Sequence, residues 1–198
     1  MASNAATGPD KRFLRSSELG VRPEALVKAA KAGRVERVVP GVYLAAGVRR
    51  HALAEAAAWT LRQPAAVIAL STAAVFHGLT DAFERGTWLF VPKGASPPRS
   101  TTAPVHSVVV LPELLDGATD ALGLQTLPVH GVDVRLTGPD RTVVDLWRYV
   151  RLVPREYALE ALRRRVRAPG FRPAALARLA RRLGVWGKME PVVQGMTL

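Results

Sequence analysis

Residues 22–43 read RPEALVKAAKAGRVERVVPGVY, and this stretch decides the fold of the N-terminal part of the chain. Pro23 suits the first turn of a helix, where its missing N–H leaves no hydrogen bond unmade, and Gly33 suits the position after a helix end. We therefore predict a helix over residues 23–32. Its apolar residues share one face and its charged residues the opposite face: Leu26, Ala29 and Ala30 against Glu24, Lys28 and Lys31.

Two runs of β-branched residues after this helix predict a hairpin. They cover residues 35–39 and 42–45, and Pro40-Gly41 between them fits the centre of a type II turn. Upstream, Ser16 is expected to cap a single helical turn that Gly20 ends. Short helix, glycine turn, basic helix and hairpin form the layout of a winged helix-turn-helix. We place this module at 11–48, behind a flexible arm at 1–10.

Basic charge is concentrated at the two ends of the chain, whose formal net charge is +12. Residues 11–50 hold ten Lys or Arg against three Glu, and residues 148–182 hold eleven Arg against two Glu. Residues 51–147, in contrast, hold six cations against nine carboxylates. A bias toward arginine in composition would spread evenly, so the asymmetry indicates binding surfaces for an anionic partner.

The N-terminal basic block suits duplex DNA. A helix of about three turns fits the major groove, and a wing meets phosphates or the minor groove. Arg22 and Lys28 are the preferred candidates for base contacts, and the electrostatic term supplies sequence-independent binding. The predicted DNA-binding residues are Arg12, Arg15, Ser16, Arg22, Lys28, Lys31, Arg34 and Arg37. The alternative is a winged helix used for protein contact.

The remainder, residues 49–198, predicts a mixed domain of short strands and helices. Strands are predicted over 87–91, 105–111, 122–127 and 132–136, and a strand or helix lead-in over 66–70. Helices are predicted over 51–62, 72–77 with Ser71 as its cap, 142–150, 154–167 and, as the last, 173–183. We expect an α+β fold: an N-terminal winged helix-turn-helix, then short antiparallel strands and helices with a C-terminal helical region.

The last two predicted helices place arginines opposite their apolar stripes. These arginines are Arg163, Arg164, Arg165, Arg167, Arg178, Arg181 and Arg182. Such a face is either ordinary solvated surface, helped by pairs such as Glu160–Arg164, or a second surface for nucleic acid or a protein partner. The sequence leaves both interpretations open.

The sequence lacks the residue patterns of a catalytic or metal-binding site. It contains no cysteine, its four histidines lack ligand spacing, and no phosphate-binding glycine loop is present. His77 is expected at a helix end, donating to a carbonyl. Asp140, Arg141 and Asp145 form the closest polar group, and i,i+4 pairing predicts a structural role, with a partner-facing role as the alternative. We expect no enzyme activity, cofactor or metal.

Hydropathy argues against a membrane protein. No apolar run in the sequence is long enough to cross a bilayer, and no apolar segment of a secretory signal follows the first charges. The absence of cysteine fits a reducing compartment. We therefore expect a cytoplasmic protein without membrane contact, whose four tryptophans fill the core.

Three ordered segments resemble the AbiEi-type antitoxins of bacterial toxin–antitoxin systems. GRVERVVPGVY at 33–43 is similar to the end of that family's winged helix, and ALSTAAVFHGL at 69–79 resembles its S-x-x-x-A-x-x-H-G-L segment with a slight offset. PDRTVVDL at 139–146 resembles its P-E-R-T-hydrophobic-hydrophobic-D helix start. The resemblance spans about residues 12–190, although the helix that usually precedes the turn is short or missing.

The resemblance implies a DNA-binding antitoxin that represses its own operon through the N-terminal module. Its partners would be double-stranded operator DNA and a nucleotidyltransferase-like toxin acting on tRNA, which it would oppose without a stable complex. The alternative class is an interaction protein that binds a protein or RNA through the arginines of residues 163–182, with no sequence-specific DNA binding.

Overall fold

The computed structural model describes residues 13–81, 86–116 and 122–197. The predicted arm at 1–10 and Arg12 lie outside these residues. The α+β fold class is confirmed: a three-stranded sheet with two helices comes first, and a five-stranded sheet with further helices follows. None of the helices described is long and apolar enough to cross a membrane.

The N-terminal module follows the predicted winged helix-turn-helix order. Its elements are β1 (Phe13–Leu14), α1 (Ser16–Leu19), α2 (Pro23–Lys31), β2 (Val35–Val39) and β3 (Val42–Ala45). The strands are antiparallel, with β3 between β1 and β2. Gly33 and Gly41 have φ of 70° and 80°, which favours glycine at the end of α2 and in the turn of the hairpin.

The larger part of the chain forms a five-stranded sheet and several helices. The elements of this part are α3 (Ala54–Arg62), β4 (Val67–Ile68), α4 (Leu70–Phe76), β5 (Thr87–Pro92), β6 (Val105–Val110), β7 (Leu124–Val129), β8 (Val132–Thr137), α5 (Pro139–Arg148), α6 (Arg155–Arg167), α7 (Pro173–Arg182) and α8 (Trp186–Thr197). The order of the strands in the sheet is β6-β5-β4-β8-β7.

The pairing in this sheet is mixed, which corrects the expectation of antiparallel strands. β4–β5 and β7–β8 are antiparallel, whereas β5–β6 and β4–β8 are parallel. Consecutive strands can be parallel only when the connection is long enough to return along the strand. Residues 93–104 provide such a connection between β5 and β6.

The two faces of the large sheet contact different hydrophobic clusters. Val67 belongs to a cluster with α4–α8, and its neighbour Ile68 belongs to a cluster with α3, because successive strand residues point to opposite faces. The second cluster also contains Phe13 and Leu44 of the three-stranded sheet, and the fully buried Trp59. The winged helix-turn-helix module therefore packs directly on the larger part of the molecule.

Two predicted helix caps are wrong. Ser16 is the first residue of α1, Arg15 occupies the cap position, and no side chain caps the turn. Ser71 lies inside α4, which begins at Leu70, and its buried Oγ has no hydrogen-bond partner in the described part of the chain. The buried strand β4 runs almost directly into α4, so no room remains for a capping residue at 71.

The start of α3 and the number of C-terminal helices also differ from prediction. α3 begins at Ala54 rather than His51, because the Nδ1 of His51 accepts a hydrogen bond from the backbone N–H of Leu53 (3.0 Å) and holds a turn there. The helix of residues 173–183 is not the last, since α8 follows it. Pro191 lies inside α8, and helix propensity does not predict this helix because proline is unfavourable in a helix interior.

Candidate nucleic-acid interface

One face of α2 is directed to solvent. Leu26 is 6% exposed and anchors the opposite face, with Ala29 and Ala30 half-buried beside it. Lys28 and Lys31 are exposed, and neither makes an ion pair with a described residue. The helix therefore presents two uncompensated cations, as its amphipathic pattern predicts.

Three predicted arginines surround this helix and are equally exposed. Arg22 occupies the N-cap position of α2, Arg34 follows the glycine after its end, and Arg37 lies on β2 opposite Tyr43. None of the three has an ion pair among the described residues. α2 packs against β2, and we call the exposed cations of this helix and hairpin the α2 surface: Arg22, Lys28, Lys31, Arg34 and Arg37.

Arg15 and Ser16 lie beside this surface but are less available. Arg15 and Ser16 are both half-buried. The guanidinium of Arg15 donates to the carbonyl of Leu61 (3.3 Å) and lies 3.6 Å from the carboxylate of Glu18. They border a small open cleft with Pro40 and its neighbour in the turn. Arg15 joins α1 to α3, so it has a structural contact besides the predicted one to phosphate.

The sequence reading missed three aliphatic side chains at the same surface. Leu19, Val21 and Val27 are 47%, 40% and 43% exposed around the α1–α2 turn. An aliphatic side chain beside a cation suits a DNA groove, because it can contact the methyl group of thymine. Val27 precedes Lys28 on the outward side of α2. An aliphatic residue on the charged face of an amphipathic helix was the feature of the sequence that could have predicted this exposure.

Several of the C-terminal arginines are already occupied. Arg164 forms ion pairs with Asp81 and Glu160, and its hydrogen bond and charge lower the pKa of Asp81. Arg165 donates to Asp140 (2.6 Å), and the guanidinium of Arg181 lies over the ring of Trp186. The predicted arginines that are exposed with no ion pair in the described part are Arg163, Arg167, Arg178 and Arg182.

The polar group in α5 is structural, as predicted. Arg141 donates to Asp145 (2.6 Å), and both side chains are fully buried. A second nitrogen of Arg141 donates to the carbonyl of Leu122 (2.9 Å), which ties the segment before β7 to α5. Burial raises the pKa of the Asp145 carboxyl, and the adjacent Arg141 opposes that rise. Neither group is accessible to a partner.

His77 also has the contact expected of it. Its Nε2–H donates to the carbonyl of Thr137 (2.8 Å), just before α5. Burial lowers the pKa of His77, the hydrogen bond opposes this, and Arg165 lowers it further. α4 packs against α5, so the segments 69–79 and 139–146 meet in space. Across residues 13–81, 86–116 and 122–197, no group of acidic or histidine side chains could hold a metal ion.

The chain matches no protein-family profile and no curated protein. Its fold is similar to that in the crystal structure of the RV2827C protein from Mycobacterium tuberculosis, with a TM-score of 0.52. The two are 15% identical over 90% of this chain and 72% of that one. At this identity the similarity concerns the fold alone, so function has to be argued from the surfaces of this molecule.

Proposed function

We propose that the protein is a cytoplasmic, DNA-binding autorepressor that acts as the antitoxin of a pair with a nucleotidyltransferase-like toxin. The observation that carries DNA binding is the α2 surface, where five exposed cations of one helix and one hairpin have no ion pair in the described residues. The antitoxin role rests on the resemblance of three segments to AbiEi-type antitoxins. The proposal includes no catalytic step.

In this arrangement α2 enters the major groove and the hairpin lies along the adjacent backbone. In this proposal Lys28 and Arg22 contact base edges, and Val27 contacts a thymine methyl. Lys31, Arg34 and Arg37 contact phosphates, which fixes the register of the helix on the duplex. These three phosphate contacts contribute about −2.7 to the slope of log affinity against log salt.

The decisive experiment measures binding to the DNA upstream of the protein's own gene and to scrambled duplex of equal length. We expect a preference of about a thousandfold. The double substitution Lys28→Glu and Lys31→Glu should abolish it, while circular dichroism shows an unchanged fold. The matched control is Arg178→Glu with Arg182→Glu, two exposed cations of α7 that should leave the preference intact.

The second candidate is binding of RNA or a protein through the C-terminal helices. The four exposed arginines without ion pairs on α6 and α7 favour it. Equal affinity for both duplexes in the wild type, or a greater loss in the α7 variant than in the α2 variant, would reject the repressor in favour of this candidate.

The antitoxin role has its own test. Cells that express the proposed nucleotidyltransferase-like toxin should stop growing, and co-expression of this protein should restore their growth. The Lys28→Glu, Lys31→Glu variant should still do so when expressed from an unrelated promoter, because the family resemblance places antitoxicity outside the DNA-binding module. Failure of the wild type to restore growth would reject the antitoxin role and leave DNA binding to stand on its own measurement.

A further inference from the structure

An open cleft of about 740 Å³ lies between the segment that follows the hairpin and the turn between β7 and β8. Residues 49–52 line one side, and Pro128, His130 and Gly131 line the other. No acidic residue is among them. The volume falls in the range of small-molecule sites. The α2 surface contributes none of these residues, so the cleft is a separate feature.

Two hydrogen bonds show which ring nitrogen of each histidine in this cleft is an acceptor. The backbone N–H of His51 donates to Nε2 of His130 (3.0 Å), and the backbone N–H of Leu53 donates to Nδ1 of His51 (3.0 Å). A ring nitrogen that accepts a hydrogen bond carries no proton. Neutral His51 therefore carries its proton on Nε2, which has no partner among the described residues and can donate to a ligand.

The two arginines of the cleft have different roles. Arg50 lies 3.0 Å from Glu36 and 3.6 Å from Glu55, so its charge is compensated and it holds the segment against β2 and α3. Arg49 is exposed and has neither a hydrogen bond nor an ion pair in the described residues. The cleft therefore keeps one uncompensated cation beside one imidazole N–H.

The backbone of His130 has a left-handed conformation that few residues other than glycine adopt. His130 has φ of 49° at the first position of a two-residue turn, where asparagine, aspartate or glycine is usual. A histidine in this conformation is unfavourable unless contacts compensate for it. Its hydrogen bond to His51 is one such contact, and it joins the two walls of the cleft.

We propose that this cleft binds a phosphoryl group, with Arg49 supplying the charge and the Nε2–H of His51 donating to a phosphoryl oxygen. A phosphoryl group fits because it offers several acceptor oxygens to donors from different directions, and arginine pairs with it through charge-assisted hydrogen bonds. The group can belong to a free nucleotide or to the phosphodiester backbone of a nucleic acid. The proposal does not depend on sequence reading by α2.

The test uses AMP and a short duplex of unrelated sequence as probes of the full chain. The ring nitrogen resonances of His51 and His130 report binding in the cleft, and calorimetry gives the affinity. We expect a saturable shift of both rings. Arg49→Gln should weaken binding at least about tenfold, the size of a lost charge-assisted hydrogen bond. Arg151→Gln, at another exposed arginine, is the matched control.

Each outcome decides the proposal or the source of the group. Shifts with AMP that depend on Arg49 identify a nucleotide site, and shifts with the duplex alone that depend on Arg49 identify a backbone contact. The cleft is not a site if neither probe moves the ring resonances, or if Arg151→Gln weakens binding as much as Arg49→Gln. The Lys28→Glu, Lys31→Glu variant should keep AMP binding even though it loses the operator, so the two proposals fail separately.

Discussion

The two basic ends of this molecule differ in what their cations contact. On the α2 surface, Lys28, Lys31 and Arg37 are exposed and have no ion pair in the described residues. On α6, Arg164 and Arg165 each contact a carboxylate outside that helix, Asp81 in one case and Asp140 in the other. Charge counted along the sequence shows where anions would be attracted. Pairing within the fold shows which cations remain for a partner.

The difference predicts that substitutions at the two ends have different effects. Arg165 joins α6 to the first turn of α5, and its guanidinium also lies over the ring of Phe171. Such contacts stabilise the fold and leave less charge for binding. A cation without a partner adds little to stability, because its interactions in water are weak and screened. Substitutions should therefore change stability at the C-terminal contacts and affinity at the α2 surface.

The largest expected effect on stability comes from the buried pair in α5. Asp145→Ala leaves Arg141 buried without its carboxylate, which should lower the free energy of unfolding by about 3–5 kcal/mol. Urea denaturation followed by tryptophan fluorescence measures it. Asp133→Ala, at an exposed carboxylate on β8, should change it by less than about 0.5 kcal/mol. If both variants lose the same free energy of unfolding, the ion pair of Arg141 and Asp145 contributes no more to stability than an exposed carboxylate does.

A smaller effect is expected at the contact between α5 and α6. Arg165→Ala removes a 2.6 Å hydrogen bond to Asp140 in a mostly buried position, and should cost about 1–2 kcal/mol. Arg167→Ala, at an exposed arginine of the same helix, should cost less than about 0.5 kcal/mol. The comparison of the two ends would break if Arg165→Ala left stability unchanged, or if it weakened DNA binding as strongly as a change on α2.

The sequence predicted local structure where the chemistry is local. Pro23 and Gly33 bound α2, the turn at Gly41 joins the hairpin, and the i,i+4 spacing of Arg141 and Asp145 produces the ion pair. It failed where the outcome depends on distant residues. The backbone N–H of His51, just before α3, donates to a histidine in a remote hairpin, and the parallel pairing of β5 with β6 depends on the whole sheet.

The candidate sites follow the same rule. Lys28 and Lys31 could be assigned to an outward face from periodicity alone, because residues three or four apart lie on the same face of a helix. The occupation of Arg164 by Asp81, 83 residues away, could not be predicted. The cleft at Arg49 and His130 also escaped prediction, since its two walls are far apart in sequence and the histidines lack any motif spacing.

The salt dependence of DNA binding sharpens the comparison further. Lys31→Gln should reduce the slope of log affinity against log salt by about 0.9, the value for one phosphate contact that releases a counterion. Arg164→Gln should leave the slope unchanged, because this arginine is already compensated by two carboxylates. Fluorescence anisotropy over a series of salt concentrations measures both. A change of slope in the Arg164 variant would show that internal ion pairs open on binding.

The smallest expected effect is a pH dependence of stability through His77, at the end of α4. Burial lowers the pKa of His77 in the folded state, so between that pKa and the ordinary value of 6.5 the unfolded chain binds more proton than the folded chain. Stability should therefore fall as pH drops below 6.5, with a slope that corresponds to less than one proton bound on unfolding.

The substitution His77→Gln tests this, because it keeps an amide N–H for Thr137 and should remove this part of the slope. Urea titrations of both proteins between pH 7.5 and about 5 give the difference, in which the other histidines cancel. Parallel curves would show that His77 takes up its proton equally in both states, and that its contact with Thr137 does not depend on the neutral ring.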